Sequence, residues 1–257
     1  MYALKIGGSA LQNKGNGESH VEQVSNNVAK GVPKGTLCVM THGAGWTGHN
    51  ECRRRGIDKM PSSMEGIEFD YGKAVEAANE IRAAIERELT QPLLRALRLA
   101  GHIVEPIPIS DVAKTTDDDV IFYELSNVVK LARTGVIPLL HSDVVITRNR
   151  AFIVSMDEVT KDIANAMGSG TTCIYGTDVP GVLDIRTQKV IPFLRRSELS
   201  KVPLAPAAKV DVSGGPERKV YEIMELIPGI PVRIISLREP GTLDAVFRGE
   251  SVGTLIT

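Results

Sequence analysis

Four short glycine-bearing segments, each directly after an apolar run of strand length, constrain this chain more than any other feature. They are KIGGS (Lys5 to Ser9), HGAGWTGH (His42 to His49), TDVPG (Thr177 to Gly181) and DVSGGPERK (Asp211 to Lys219). Glycine lets a chain leave a strand in a sharp turn and lets amide groups face an anion with no Cβ in the way. In the first segment Lys5 sits in the strand and is followed by Gly7, Gly8 and the hydroxyl of Ser9. The last sets Ser213, Gly214 and Gly215 ahead of Lys219, which falls in the first turn of a helix expected over 216–226. A helix start carries unpaired amides and partial positive charge, so phosphate is a natural ligand there. Together the four segments read as a phosphate-handling site of the kind a kinase uses.

The stretches between them alternate apolar strands with amphipathic helices, the pattern of a mostly parallel sheet covered on both faces. Strands are expected at 2–6, 36–41, 103–108, 137–140, 151–155, 172–175 and 231–236. Helices are expected at 21–29, 71–100, 119–134, 156–167, 196–200 and 216–226, with a hairpin over 182–192. Within the long stretch, Ala77, Ala78, Ile81, Ala84, Ile85, Leu89, Leu93 and Leu97 form a helical stripe, and Pro92 should break or kink it into two helices. The fold class is α/β, a three-layer αβα sandwich. A soft boundary near residue 170 separates residues 1–170, carrying two glycine turns, from 171–257, carrying the other two. One lobe would hold the phosphoryl acceptor and the other the nucleotide, with the site at the C-terminal ends of the strands.

Composition narrows the function class. At 257 residues and 42% hydrophobic content the chain can bury a full core. A formal net charge of −1 provides no basic footprint for nucleic acid. Three cysteines, Cys38, Cys52 and Cys173, have no metal-ligand spacing and are odd in number, as in a reducing compartment. With no long apolar run, neither a signal peptide nor a membrane span is expected, and the expected location is the cytoplasm.

KIGGS with Lys14 beyond it, HGAGWTGH, HSDVV (His141 to Val145), SMDEV followed by DIA (Ser155 to Ala164), TDVPGVLD (Thr177 to Asp184), DVSGGPERKV and a closing GTLI resemble the amino acid kinase superfamily, in family order along the whole chain. His49 resembles the mark of the branch holding isopentenyl phosphate kinase and the fosfomycin kinase. The resemblance implies ATP and Mg2+ as cofactors, a homodimer, and a small phosphate or phosphonate substrate. Lys5 would bridge the β/γ-phosphates and the acceptor, Lys14 would reach the transferring group, and Lys219 would hold the nucleotide phosphates. Asp157 would orient the lysines, while Gly7, Gly8 and Ser9 would offer backbone donors. Asp178 would lie near the nucleotide, with Gly181 allowing the turn and Gly215 the close approach. His49, with the amides of Ala44 and Gly45, would bind the acceptor. No dedicated metal site is expected, because no carboxylate cluster declares one.

The chain also departs from the family pattern. Ala44 replaces the middle glycine of its turn, Ser142 a glycine before Asp143, Met156 a glycine, Glu158 an aspartate and Pro180 an aspartate. Met156 must either point away from the acceptor or reshape its pocket. The small residues of the 77–85 stripe leave room for a prenyl tail or serve helix packing, and Arg82 is either solvated or faces a polar acceptor. The implied reaction is isopentenyl phosphate to its diphosphate, with a phosphonate kinase or a nucleotide-binding protein without turnover as alternatives.

Overall fold

The computed structural model describes residues 1–57, 69–116, 120–184, 186–201 and 222–257. In chain order the first part runs β1 (Tyr2–Ile6), α1 (Gly8–Leu11), α2 (Val21–Gly31), β2 (Cys38–His42), α3 (Gly45–Arg54), α4 (Tyr71–Ile85) and α5 (Gln91–Leu99). Then come β3 (Val104–Pro108), α6 (Ile109–Val112), β4 (Ala113–Thr115), β5 (Ile121–Tyr123), α7 (Ser126–Arg133), β6 (Ile137–His141), β7 (Val144–Ile146) and β8 (Ala151–Ile153). The last part holds α8 (Met156–Met167), β9 (Thr172–Thr177), β10 (Phe193–Leu194), β11 (Val232–Ser236), α9 (Thr242–Phe247) and β12 (Thr254–Ile256).

Eight strands form one sheet in the order β10-β12-β11-β9-β1-β2-β6-β3. Every pairing in it is parallel except β11 with β12. Strands β2 and β6 are buried at every position, which is why they read as unbroken apolar runs. Alternate residues feed two cores. Leu4, Ile6, Met40, Ile174 and Ile235 pack under α2, α4 and α5, whereas Ala3, Val39, Leu140, Tyr175 and Ile234 pack under α7 and α8. The architecture is the expected three-layer sandwich. The three cysteines are buried and form no disulfide. Among the described residues no helix is long and apolar enough to cross a membrane.

Two local expectations need correction. Pro92 does not break the long helix: residues 86–90 widen into a π-helical turn, in which the Gln91 amide bonds to the Glu86 carbonyl. Pro92 then lies in the first turn of α5, where its missing N–H costs little. The helix expected over 119–134 is a strand and a shorter helix instead. Ile121 to Tyr123, β-branched and aromatic, pair antiparallel with β4 before α7 begins at Ser126. Residues 144–146 pair with β8 as a second small hairpin that sequence patterning missed.

The register brings the turns together. Ile6 lies opposite His42 on one side and Gly176 on the other, and His42 lies opposite His141. The segments that follow β1, β2 and β9 therefore leave the sheet side by side.

Candidate active site

At the end of β1, Lys5 is only 7% exposed, and its Nζ lies 2.5 Å from Asp157 Oδ2. Asp157 stands in the first turn of α8, where the helix's positive end favours a carboxylate. A lone buried cation would be strongly unfavourable, so this partner is what lets Lys5 stay charged inside the protein. The start of α8 is tied to the sheet by hydroxyls. Thr160 donates to the Met156 carbonyl at 2.5 Å, and Thr41 of β2 meets Thr160 Oγ1 at 2.7 Å.

Glycines beside Lys5 serve close approach of backbones. The Gly7 amide donates to the Gly176 carbonyl at 2.8 Å, so it extends the sheet ladder and is not open to a ligand as expected. A Cβ on Gly8 would lie 2.8 Å from the Gly45 nitrogen, so the turns after β1 and β2 pack backbone against backbone. Gly8 and Ser9 open α1, and their amides have no intrahelical acceptor. Gly45 has φ +60 and starts α3. HGAGWTGH is thus half turn and half helix, and His49 is a partly exposed residue of α3. Ala44 fits because Gly48 leaves it space: a Cβ there would lie 2.5 Å from the Ala44 methyl.

The remaining expected residues divide. Lys14 lies half-buried in the loop after α1, and Asp178 is exposed just beyond β9. Gly181 has no positive φ; it is glycine because Thr254 Oγ1 and Val190 Cγ1 would lie 2.7 and 2.8 Å from a Cβ. Met156, at 2% exposure, packs in the core under α8. Gly215 and Lys219 lie outside the described residues. Ala77, Ala78, Ile81 and Ile85 are buried in the other core, the helix-packing alternative.

Several polar contacts around the site escaped sequence reading. Asp143 is fully buried and receives Arg82 Nε at 2.6 Å and the Ser110 hydroxyl at 2.7 Å, while Arg82 also donates to Ser110 at 2.9 Å. Arg82 is therefore neither simply solvated nor committed to a ligand. Ser142 donates to the Val154 carbonyl at 2.9 Å. His42 Nε2 meets Thr90 Oγ1 of the π turn at 2.9 Å and its ring stacks on His141, centroids 5.8 Å apart. Burial, helped by the neighbouring His141, lowers the His42 pKa to about 3. Lys161 pairs with Asp162 at 3.2 Å and Glu222 at 3.3 Å. HSDVV flagged Asp143 by position, but no local pattern announced the arginine or the π turn.

A sequence profile described as the amino acid kinase family matches residues 1–236, which span this whole arrangement. The chain belongs to the amino acid kinase family. Acetylglutamate kinase of Shewanella amazonensis is 25% identical over 100% of this chain and 96% of that enzyme. Isopentenyl phosphate kinase of Arabidopsis thaliana is 30% identical, over 57% of this chain and 42% of its own. A crystal structure of isopentenyl phosphate kinase superposes with a TM-score of 0.74 at 20% identity, covering 100% of both chains, a likeness of fold. This amino acid kinase is thus a phosphotransferase whose fold is like that of the solved isopentenyl phosphate kinase.

Proposed function

We propose that this kinase transfers the γ-phosphate of ATP to isopentenyl phosphate. The observation that carries the reading is the Lys5–Asp157 pair at the end of β1, flanked by the turns after β2 and β9. Transfer between two anions needs charge neutralisation and alignment more than covalent help. Lys5 supplies fixed positive charge, with Lys14 and Lys219 joining it. The amides of Gly8 and Ser9 add donors to the same oxygens. An ionised phosphate oxygen of the acceptor attacks the γ-phosphorus as the bond to the ADP oxygen breaks, and no proton has to be removed first. His49 binds the acceptor's non-reacting oxygens. The nucleotide belongs to 171–257 and the acceptor to 1–170.

Among the described residues no cluster of three or more His, Cys, Asp or Glu is arranged to hold a metal. Magnesium would arrive on the nucleotide's own phosphates, where it would supply further charge neutralisation. His49 and the fold likeness support the prenyl phosphate, while the full-length Shewanella relative favours testing a carboxylate acceptor as a second reading.

The test is ATP consumption with magnesium and isopentenyl phosphate, dimethylallyl phosphate, fosfomycin, N-acetylglutamate or simple alkyl phosphates. Turnover of the prenyl phosphates is expected, falling about 100-fold in His49→Ala with ATP binding retained. Turnover confined to N-acetylglutamate or fosfomycin reassigns the acceptor, and ATP binding without any turnover makes the chain a binding protein.

A further inference from the structure

The segment joining the Lys5 turn to Lys14 is gripped from the far end of the chain. Just past β11, Arg238 Nη2 donates to the Ser9 carbonyl at 2.6 Å and to Asn13 Oδ1 at 2.7 Å, and its Nε donates to the Ala10 carbonyl at 3.1 Å. Those carbonyls close α1, a helix too short to satisfy them itself. The arginine's own backbone is fixed. Its N–H donates to Ser236 Oγ at 3.3 Å, and its carbonyl accepts from Gln23 at 2.8 Å and Asn27 at 3.2 Å, both on α2.

The other flank of the loop is held from α3. Gln12 exchanges two hydrogen bonds with Thr47, at 2.9 and 3.0 Å, and pairs with Ser19 across the loop. Gly17, with φ +73, lies so close to Trp46 that a Cβ would be 2.7 Å from its ring. Asn13 is the hinge point: its amide donates to the Glu18 carbonyl at 2.9 Å, its carbonyl accepts from Gly17 at 3.0 Å, and its side chain faces Arg238. Lys14 is the next residue. A lysine is a flexible point charge, so its base must be fixed for the ammonium to reach one place.

We infer that Arg238 is a positioning residue for phosphoryl transfer, acting through residues 9–13 to hold Lys14 in place; this rests on the role given to Lys14 above. The planar fork spreads its donors over two nitrogens, Nε for one carbonyl and Nη2 for a carbonyl and an amide oxygen, a span that a lysine's single nitrogen does not match.

The experiment compares Arg238→Ala, Arg238→Lys, Lys14→Ala and the Arg238→Ala/Lys14→Ala double variant, with hydrogen exchange on residues 9–18. Arg238→Ala should lower kcat about 10- to 100-fold, the scale of a small misplacement, with little change in KM for ATP. In the Lys14→Ala background it should cost nothing further, because the two act as one unit. Arg238→Lys should fold and still lose activity, and exchange at 9–18 should rise about tenfold in both arginine variants. Equal losses in both backgrounds, or unchanged exchange, overturn the inference. If the wild type phosphorylates no acceptor, the acceptor reading fails, and the exchange measurement alone decides the role of Arg238.

Discussion

Asp157 exists at its position for Lys5, and Lys5 stays charged because of Asp157: the two are nearly buried and 2.5 Å apart. Removing one charge takes this ion-pair partner from the other, at a cost of up to about 3–5 kcal/mol for a buried pair. Asp157→Asn keeps the shape and is predicted to lower both the melting temperature and turnover, the latter about 100-fold. Unchanged turnover would mean that the pair is structural only. Lys5 was legible in the sequence because it sits in a strand running into glycines, and Asp157 through the family resemblance that SMDEV carries. Arg82 and Arg238 were not. Their partners lie 61 residues away for Asp143 and 225–229 away for Asn13, Ala10 and Ser9, and an arginine carries no local pattern that points so far.

At the scale of elements, the long parallel strands were readable as apolar runs, whereas the three-residue strands β4, β5 and β7 were too short to display a period. The π turn shows why the rest was hidden. A proline announces trouble in a helix but not its remedy, and the remedy here brings Thr90 to His42 and Glu86 within 3.6 Å of His141. This packing has a pH consequence. Burial lowers both histidines, His42 to about 3. Unfolded, the same ring takes up a proton near its ordinary value of 6.5. The unfolded state thus binds more protons below that point, so stability is full above about pH 6.5 and erodes as pH falls toward about 3. Melting temperature should drop between about pH 6.5 and pH 5, less steeply in His42→Gln. Parallel slopes for the two proteins would remove His42 as the cause.

Across the whole molecule, residue 170 divides the sequence without dividing the sheet. Strand β9, the first beyond it, is hydrogen-bonded to β1 along five register pairs and to β11 on its other side. Both cores draw residues from either side of that point. Calorimetry should therefore show one cooperative unfolding transition, and residues 1–170 alone should not fold, since they would leave the edge of β1 bare. Two resolved transitions would establish independent lobes. The overall sandwich was legible because alternation of strand and helix leaves few topologies open, while the interlocking of first and last segments depends on contacts that no window of sequence contains.

Gly176 carries a consequence for how such a chain can diverge. The space its side chain would fill is taken by Leu237, whose Cδ1 would lie 2.2 Å from a Cβ there, and Leu237 leads directly into Arg238. A lineage can acquire even alanine at position 176 only if the leucine side chain shrinks or swings aside and the Lys5 carbonyl, 3.0 Å from such a Cβ, gives way slightly. The order of substitutions is thereby constrained, with a smaller residue at 237 preceding or accompanying any side chain at 176.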